Sequence, residues 1–522
     1  GEDKIRRARL LSQGALEALR AYNYYPSIIQ TNEWLTWLLG AYLQRWTTFS
    51  TDPHFFNTRV GSMMHNPHPS YSIVMDEPNM FKRYYYCMLL GMDAVVNADI
   101  CINPGSFSGH AIDLTYLMLK TSDYIGTVSK AMRRRMLEEP AVFGHNHLYQ
   151  QLYAEERFFS RRNGFNMAAR QRFWFRSKKS ILETYDTAAR KRLFSRYSRA
   201  KKLAKRGLQT DPNIQLTPDD ENHPHVVFAM LHRICRQKGF ELLVDWKVYV
   251  DERGQRWVFY EPWKMMGPTV LEHFLSQDAR IQYVICGRVE DSFDGRRFDM
   301  HFRRIASLPE FRGRFAYYPE GALSPSLYRN VYVGSQFFVM PSGGEVGEPC
   351  GISQQEAHAG GTPVVAHHQD GLQRTVADRD FGDRHFAPNG IKFSGFTGES
   401  LLNALQDAVN IYFRNERLTY TDKKGRPKKC RYRDLSYNAF TTDHRWLHLL
   451  HEYIKTDSMM AGVSLPEHIH AMRLVVGMAG APEAEMGNVI LRNGLTVPEA
   501  VQCLLDALSC SILSVRKAVE AA

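Results

Sequence analysis

The chain has 522 residues and a formal net charge of +11; 44% of its residues are hydrophobic and 23% are charged. This balance is close to the globular average and excludes a wholly disordered, collagen-like or coiled-coil protein. At roughly 100–200 residues per domain, the length predicts two to four domains. No run of about 18 or more apolar residues occurs, so no membrane-spanning helix is predicted.

In the first 200 residues, short apolar runs alternate with helical patterns. Strands are predicted at 27–30, 71–75, 94–100 and 124–128. Residues 160–205 are predicted to be mainly helical. The next stretch, 207–224, is rich in Asp, Asn and Pro and is predicted to connect two domains.

From about residue 225 onward, buried apolar runs alternate with amphipathic stretches, which is the pattern of βα units on a parallel sheet. Strands are predicted at 225–231, 282–286, 336–340 and 362–366. Ligands of such sheets bind where the carboxyl ends of the strands meet their loops. The chemistry of this protein is therefore expected in the loops that follow these strands.

Positive charge is concentrated in two segments. Residues 157–206 contain 17 Lys and Arg against two acids, a balance of 17 − 2 = +15, and residues 423–433 contain seven basic residues in eleven positions. Such segments either contact a polyanion such as RNA or form solvated helix faces. The first segment also has apolar residues at helical spacing, so both interpretations stay open.

The eight cysteines are scattered along the chain, and no two of them form a CxxC pair. This spacing argues against a disulfide framework and against a zinc knuckle. No grouping of His, Asp and Glu has a convincing metal-ligand spacing. We expect reduced cysteines in a cytoplasmic protein without a metal site.

The most informative stretch is 340–376, MPSGGEVGEPCGISQQEAHAGGTPVVAHHQDGLQRTV. A predicted strand leads into a glycine-rich loop and a short helix, and the strand, loop and helix then repeat. Two helix N-termini would direct unpaired N–H groups at one place, which suits a phosphate. In this loop and helix, Glu348 would accept hydrogen bonds from sugar hydroxyls and Glu356 would bind a ribose.

This stretch closely resembles the donor-site motif of glycogen and starch synthases, glycosyltransferase family 5, whose Glu-x7-Glu motif marks retaining enzymes of the GT-B fold. The segment 231–243, LHRICRQKGFELL, is similar to a second motif of the family. The resemblance implies that Arg233 and Lys238 stabilise a departing nucleoside diphosphate. It also implies further donor-binding positions alongside Glu356: Cys350, Gly351, Ile352, Gly371, Leu372 and Thr375.

Weaker resemblances to the family run in the same order along residues 10–455. They include PSIIQTNEW at 26–34, His65–Asn66 at a strand end, SDYIGTVS at 122–129 and YNAFTTDHRWLHLLHEY at 437–453. In the family the histidine lies near the donor sugar, which implies that role for His65. An ordinary histidine at a strand end is the alternative.

The sequence also departs from the family pattern. The loop between Ser342 and Glu348 is three residues longer, and HHQDGL at 367–372 stands where the family has a TGGL turn. The second change is expected to bring the Asp370 carboxylate close to bound phosphates. The family's KxGGL loop precedes its PDIIH segment by about a hundred residues, whereas only 25 residues precede the matching segment of this sequence. We therefore expect either that an upstream segment was removed or that the first domain contacts the nucleotide differently.

The resemblance and the local patterns predict an α/β protein of the GT-B class, with two Rossmann-like domains facing across a cleft. An acceptor-side domain spans 1–215 and includes the basic segment, and a nucleotide-sugar domain spans 216–435. A helix at 436–456 is expected to cross back to the first domain. A helical extension is expected at 457–522.

The predicted activity is retaining transfer of a hexosyl group from an ADP-, UDP- or GDP-linked sugar to an α-glucan, without a metal or resident cofactor. One alternative is an effector or toxin glycosyltransferase, delivered into a host cytosol, that modifies a protein or ribonucleoprotein and contacts RNA through residues 157–206. A polyglucan is uncharged, whereas an RNA-bearing target would attract this segment in a salt-dependent way. The other alternative is a degenerate GT-B binding module.

Overall fold

The computed structural model describes residues 2–46, 49–66, 72–74, 111–184, 186–220, 223–344, 347–378, 387–414, 416–421 and 426–444. These residues form two compact units, which meet in sequence between Gly164 and Phe165; the second unit is Phe165–Arg445. The division falls earlier than the boundary predicted near residue 215, because the two helices of the basic segment pack on the second unit.

The first unit is built on a parallel sheet of four strands in the order β1-β2-β5-β6, beside a separate antiparallel pair, β3-β4. Its buried core includes Trp37, Val60, Leu117, Ile125 and Phe158. Its strands are β1 (Ile28–Asn32), β2 (Arg59–Met64), β3 (Ser72–Val74), β4 (Ala111–Asp113), β5 (Tyr124–Thr127) and β6 (Phe158–Ser160). Its helices are α1 (Glu2–Ala21), α2 (Leu38–Ala41), α3 (Leu114–Thr121), α4 (Lys130–Glu138), α5 (Pro140–Phe143) and α6 (Asn146–Ala154).

The second unit is built on six parallel strands. They are β7 (Val226–Leu231), β10 (Ile281–Cys286), β11 (Phe315–Tyr318), β12 (Phe337–Met340), β13 (Val364–His367) and β14 (Gly390–Phe393). Antiparallel pairs are formed by β8 (Trp246–Val250) with β9 (Arg256–Tyr260), and by β15 (Leu418–Thr421) with β16 (Pro427–Cys430). All six residues of β10 are buried, as expected for a parallel strand covered on both faces.

Helices flank this sheet. They are α7 (Met167–Phe175), α8 (Thr187–Gln209), α9 (Glu241–Val244), α10 (Val270–Ser276), α11 (Phe293–Ser307), α12 (Pro325–Gly334), α13 (Ile352–Ala359), α14 (Asp370–Thr375), α15 (Gly398–Phe413) and α16 (Tyr432–Thr441). The longest, α8, begins where the side chain of Asp186 accepts a hydrogen bond from the backbone of Ala189.

The order of the large sheet is β11-β10-β7-β12-β13-β14, so the chain reverses its direction of travel across the sheet between β7 and β12. Loops that follow the two central strands therefore diverge and leave a crevice at their carboxyl ends. The loops in question are 232–240 and 341–351. Both carry residues that the sequence predicts to bind the donor.

The structure confirms the predicted α/β class and the four predicted strands of the second unit, each to within about two residues at its ends. In 160–205 it shows two helices, α7 and α8, with an irregular stretch between them. The predicted strand at 94–100, the far part of the predicted helix 436–456 and the predicted extension 457–522 lie outside the described residues.

The part of the chain described here contains four cysteines that form no disulfide: Cys235, Cys286, Cys350 and Cys430. All four are buried. Within the same ranges, no helix is both long enough and apolar enough to cross a bilayer.

Candidate donor-binding site

The loops after β7 and β12 bring Lys238 and Glu348 into direct contact. The ammonium nitrogen Nζ of Lys238 donates to Oε2 of Glu348, and the two side chains are only 15% and 9% exposed. Lys238 ends a short 3-10 turn and is followed by Gly239, whose φ is +71°. A Cβ on Gly239 would lie 2.2 Å from the carbonyl oxygen of Pro341, so glycine is what lets the two loops approach.

The environment of this pair keeps Glu348 ionised. Burial alone would raise the pKa of Glu348, but the charge of the Lys238 ammonium and the hydrogen bond that it donates outweigh burial, and the pKa is lowered. Burial lowers the pKa of His232 to about 3, and the nearby charge of Lys238 adds to this effect. His232 is therefore neutral at physiological pH, and the site holds a buried ammonium–carboxylate pair beside a neutral imidazole.

Arg233 does not share this contact. Its Nη1 donates to Oε1 of Glu290 at 2.8 Å, and its side chain is 57% exposed. Its Nη2 lies 3.5 Å from Oε1 of Gln237, whose own Nε2 donates to the carbonyl oxygen of Gly347 at 3.0 Å. Two cations facing one carboxylate were expected; Lys238 alone of the two contacts Glu348, and Arg233 is linked to that loop through Gln237.

Asp370, whose carboxylate was expected close to bound phosphates, contacts the backbone of the Glu348 loop. It is fully buried, with φ at +48°, a conformation that Asp tolerates better than most residues. Its Oδ2 accepts a hydrogen bond from the backbone N–H of Glu348 at 3.1 Å, and Gly371 N–H donates to the carbonyl oxygen of Glu348 at 3.1 Å. Asp370 therefore holds the Glu348 loop, and an amide at the start of α14 is already used within the protein.

Glu356 lies on α13 with two partners that its sequence position does not reveal. Its Oε1 accepts from Nη2 of Arg170 at 2.9 Å, and its Oε2 accepts from the hydroxyl of Tyr328. Burial and the neighbouring Glu356 carboxylate raise the pKa of Tyr328 well above its usual value, which keeps the hydroxyl protonated as a donor. Arg170 and Tyr328 come from α7 and α12, so sequence spacing gave no signal for this arrangement.

The other predicted binding positions are brought together by α13 and α14. A Cβ on Gly371 would lie 2.8 Å from Cα of Cys350, and a Cβ on Gly351 would lie 3.1 Å from Cδ2 of Leu372. Leu372 and Cys350 are buried, whereas Ile352 is 51% exposed. Thr375 donates its hydroxyl back to the carbonyl oxygen of Gly371 at 2.8 Å.

His65 belongs to the first unit, directly after β2. Its Nδ1 accepts from Nδ2 of Asn163 at 2.7 Å, so its Nε2 carries the proton and donates to Oδ1 of Asn32 at 3.2 Å. Burial lowers the pKa of His65, although the nearby Glu33 carboxylate opposes the shift. The ring is therefore a neutral N–H donor, and its predicted place near a donor sugar stays a prediction.

Several cations of the basic segment serve the interior of the second unit. Lys201 is buried and donates to the carbonyl oxygens of Val333 and Gly360, at 2.8 and 3.1 Å, and to the hydroxyl of Thr362 at 2.7 Å. Burial lowers the pKa of Lys201 to about 7. Lys205 pairs with the carboxylate of Asp219. Part of the positive charge counted in residues 157–206 is therefore used inside the second unit.

No group of three or more His, Cys, Asp and Glu side chains within the described ranges is placed to hold a metal ion. The predicted lack of a metal and of a resident cofactor stays a prediction.

Comparisons with known proteins relate the chain to starch and glycogen synthases. A family model described as the starch synthase catalytic domain matches residues 1–152. The glycogen synthase of Thermosipho africanus is 24% identical over 459 residues, which cover 87% of this chain and 76% of that protein. The glycogen synthase of Kosmotoga olearia is 28% identical over 234 residues, which cover 44% of this chain and 37% of that protein.

Among solved structures, the catalytic domain of starch synthase IV from Arabidopsis thaliana, bound to ADP and acarbose, superposes with a TM-score of 0.62. The two chains are 17% identical, and the superposition covers 88% of this chain and 78% of that one. At this identity the similarity shows the shared fold, which is GT-B.

Proposed function

Because the chain is a glycogen-synthase-like glycosyltransferase with the GT-B fold, we propose that it transfers a hexosyl group from a nucleoside diphosphate sugar to an α-glucan. The transfer would retain the anomeric configuration and need no metal ion. One observation carries the proposal: a buried Lys238–Glu348 pair lies where the strand order reverses, at the carboxyl ends of β7 and β12.

Lys238 would stabilise the departing diphosphate. As the bond between the anomeric carbon and the phosphate breaks, negative charge grows on the leaving group, and a fixed cation then binds the transition state more strongly than the ground state. An ammonium has three N–H donors, so Lys238 can keep its bond to Glu348 and still donate to a phosphate oxygen. Arg233, half-exposed and paired with Glu290, would supply a second cation by exchanging that partner.

Glu348 would accept hydrogen bonds from hydroxyls of the donor sugar. An ionised carboxylate only accepts, and the lowered pKa of Glu348 fits that task. Its backbone is held on both sides, by Asp370 and Gly371, so the carboxylate is presented in a fixed direction. Such preorganisation is what positioning a reacting sugar requires.

Glu356 would bind the ribose of the donor nucleotide. Each of its two oxygens accepts one hydrogen bond, from Arg170 or Tyr328, and a carboxylate offers about four acceptor sites in all. The free sites would accept the ribose hydroxyls. Arg170 and Tyr328 would hold the carboxylate in place.

The remaining positions complete the proposed donor site. The backbone around Gly351 and Gly371 would allow close approach of the nucleotide, and Cys350, Ile352, Leu372 and Thr375 would line its binding site. His65, as a neutral N–H donor, would help to orient the sugar. None of these residues is assigned as a covalent nucleophile.

The comparisons do not favour the two alternatives, modification of a protein or ribonucleoprotein and a non-catalytic binding module. Contact with RNA through residues 157–206 and a cytoplasmic location stay predictions.

The test is a donor screen with the whole chain. ADP-, UDP- and GDP-glucose are supplied separately, with and without a maltooligosaccharide, and release of the nucleoside diphosphate is measured together with the length and anomeric configuration of the product. We expect one donor to support elongation through α-linkages, and the Glu348→Gln variant to be nearly inactive while remaining folded. Failure of all three donors to bind or react would refute the proposal.

A further inference from the structure

The two basic segments found in the sequence meet at one cavity in the second unit. Its volume is about 950 Å³. Helix α8 belongs to the first basic segment and contributes Arg199, Lys202 and Arg206 to the lining. Helix α16 begins in the second basic segment and contributes Arg433. This cavity has no part in the proposed sugar transfer.

The three cations on α8 share one face of the helix. Positions 199, 202 and 206 are separated by three and four residues, the spacing that places side chains in a row along a helix. All three residues are exposed, and no carboxylate in the described ranges lies within ion-pair distance of any of them. Arg433 is also exposed, and its guanidinium lies 5.9 Å from the centre of the Phe194 ring.

The charge around the cavity is strongly unbalanced. Asp219 is the one acidic residue among those lining the cavity, and it already pairs with buried Lys205 and accepts from Gln209 at 2.9 Å. Within the described ranges, the four exposed cations are therefore not paired with a carboxylate. Cations that converge on a concave surface attract anions, and guanidinium groups match the oxygens of phosphate in particular.

This cavity is distinct from the donor-binding site. It is lined by Pro224, which precedes β7, and by Gln336, which precedes β12, so it lies at the amino ends of these two strands. Lys238 and Glu348 follow the carboxyl ends of the same strands. The two sites thus lie at opposite ends of the strands of the large sheet.

The size and lining of the cavity indicate what kind of anion would bind. Its volume is within the range of about 300–1,000 Å³ typical of small-molecule sites and far exceeds that of a phosphate ion. Tyr412 and Tyr432 form part of its wall, with ring centres 4.9 Å apart in an edge-to-face arrangement. These rings offer apolar surface to the body of a ligand, while the cations bind its charged end.

We propose that this cavity binds a small phosphorylated molecule, such as a sugar phosphate or a polyphosphate, separately from the donor sugar. The phosphate would contact Arg199, Lys202, Arg206 and Arg433, and the rest of the ligand would pack on Tyr412. A concave site of this size favours a small ligand over an extended RNA. The proposal does not depend on the hexosyl transfer proposed above.

The experiment is isothermal titration of the whole chain at about 0.1 M salt, where exposed charges are partly screened. The probes are inorganic phosphate, glucose 6-phosphate and inorganic tripolyphosphate. We expect saturable binding of one glucose 6-phosphate or tripolyphosphate per chain, weakened at least about tenfold in the Arg199→Ala/Arg206→Ala variant. The matched control is Lys191→Ala/Arg192→Ala, which removes two exposed cations from α8 that do not line the cavity.

If the control binds the probes with unchanged affinity, the site is specific. An equal loss of affinity in both double variants would refute the proposal, because it would show a response to overall charge. Binding must also persist in a folded Lys238→Ala variant, because its loss would place the probe in the donor site. Absence of saturable binding by both larger probes overturns the proposal. The proposal is also overturned if only a single-stranded RNA binds in a way that depends on Arg199 and Arg206.

Discussion

Replacing Lys238 by alanine tests the centre of the proposed mechanism. The substitution removes the ammonium that pairs with Glu348, whose side chain is only 9% exposed. Removing one partner of a buried pair destabilises a protein by about 3–5 kcal/mol, and uptake of a proton by Glu348 would limit the loss to the lower part of that range. Loss of a fixed donor to a developing negative charge lowers kcat by about 10²–10³-fold, or about 3–4 kcal/mol.

The two effects can be separated with a second substitution. In Lys238→Ala/Glu348→Gln the buried carboxylate becomes a neutral amide that no longer needs a cation. We therefore expect the double variant to be more stable than Lys238→Ala alone, because the two changes are coupled, and to remain inactive. Stability is measured by urea unfolding, and activity by initial rates of nucleoside diphosphate release at saturating donor.

Arg253→Ala is the matched control, since Arg253 is an exposed cation on the turn between β8 and β9 of the same unit. It should change neither stability nor rate measurably. The reasoning about Lys238 is wrong if Lys238→Ala keeps a rate within about twofold of the original. It is also wrong if the stability losses of the two single variants simply add in the double variant.

Three further predictions follow from the same site. Gly351→Ala should lower stability by about 1–3 kcal/mol in thermal unfolding, because φ is +69° and the new Cβ would lie 2.7 Å from the side-chain oxygen of Gln354; an unchanged melting temperature would contradict this. Tyr328→Phe removes one hydrogen bond to Glu356 and should raise KM for the donor several-fold with a smaller change in kcat, whereas a change in kcat alone would oppose the ribose assignment. His232 has its pKa lowered to about 3 from an ordinary value of 6.5, so between these pH values the unfolded chain binds a proton that the folded chain does not. The free energy of unfolding should therefore decrease as the pH is lowered. Between pH 7 and pH 5 the original protein should lose about 2 kcal/mol more of this free energy than His232→Gln in urea unfolding; equal pH dependence would refute the burial argument.

The strands of the second unit were predictable because their signal is local. Continuous runs such as Val226–Leu231 and 283–286 are apolar at every position, which occurs when a parallel strand is covered on both faces. The placement of Lys238 beside Glu348 followed from the same rule, since each residue comes shortly after a central strand. The topology of the sheet turned a separation of 110 residues into direct contact.

The partners of the site residues were not predictable, because they depend on tertiary contacts and on backbone conformation. Arg233 pairs with Glu290 from the loop after β10, 57 residues away, and Glu356 pairs with Arg170 from α7. Asp370 was expected near phosphates because a carboxylate replaces a glycine there. Its carboxylate accepts a hydrogen bond from the backbone of Glu348, and its φ is positive, an angle that no sequence pattern specifies.

The basic segment shows why net charge alone could not identify a partner. A count of +15 treats every cation as an exposed point charge, yet Lys201 and Lys205 lie inside the second unit, where they donate to backbone carbonyl oxygens and a carboxylate. The buried Lys201 and Lys205 anchor α8 beside Arg199 and Arg206, since all four residues line the same cavity. Arg199 and Arg206 are thus exposed on a fixed helix, and a fixed array of cations can recognise the shape of an anion as well as its charge.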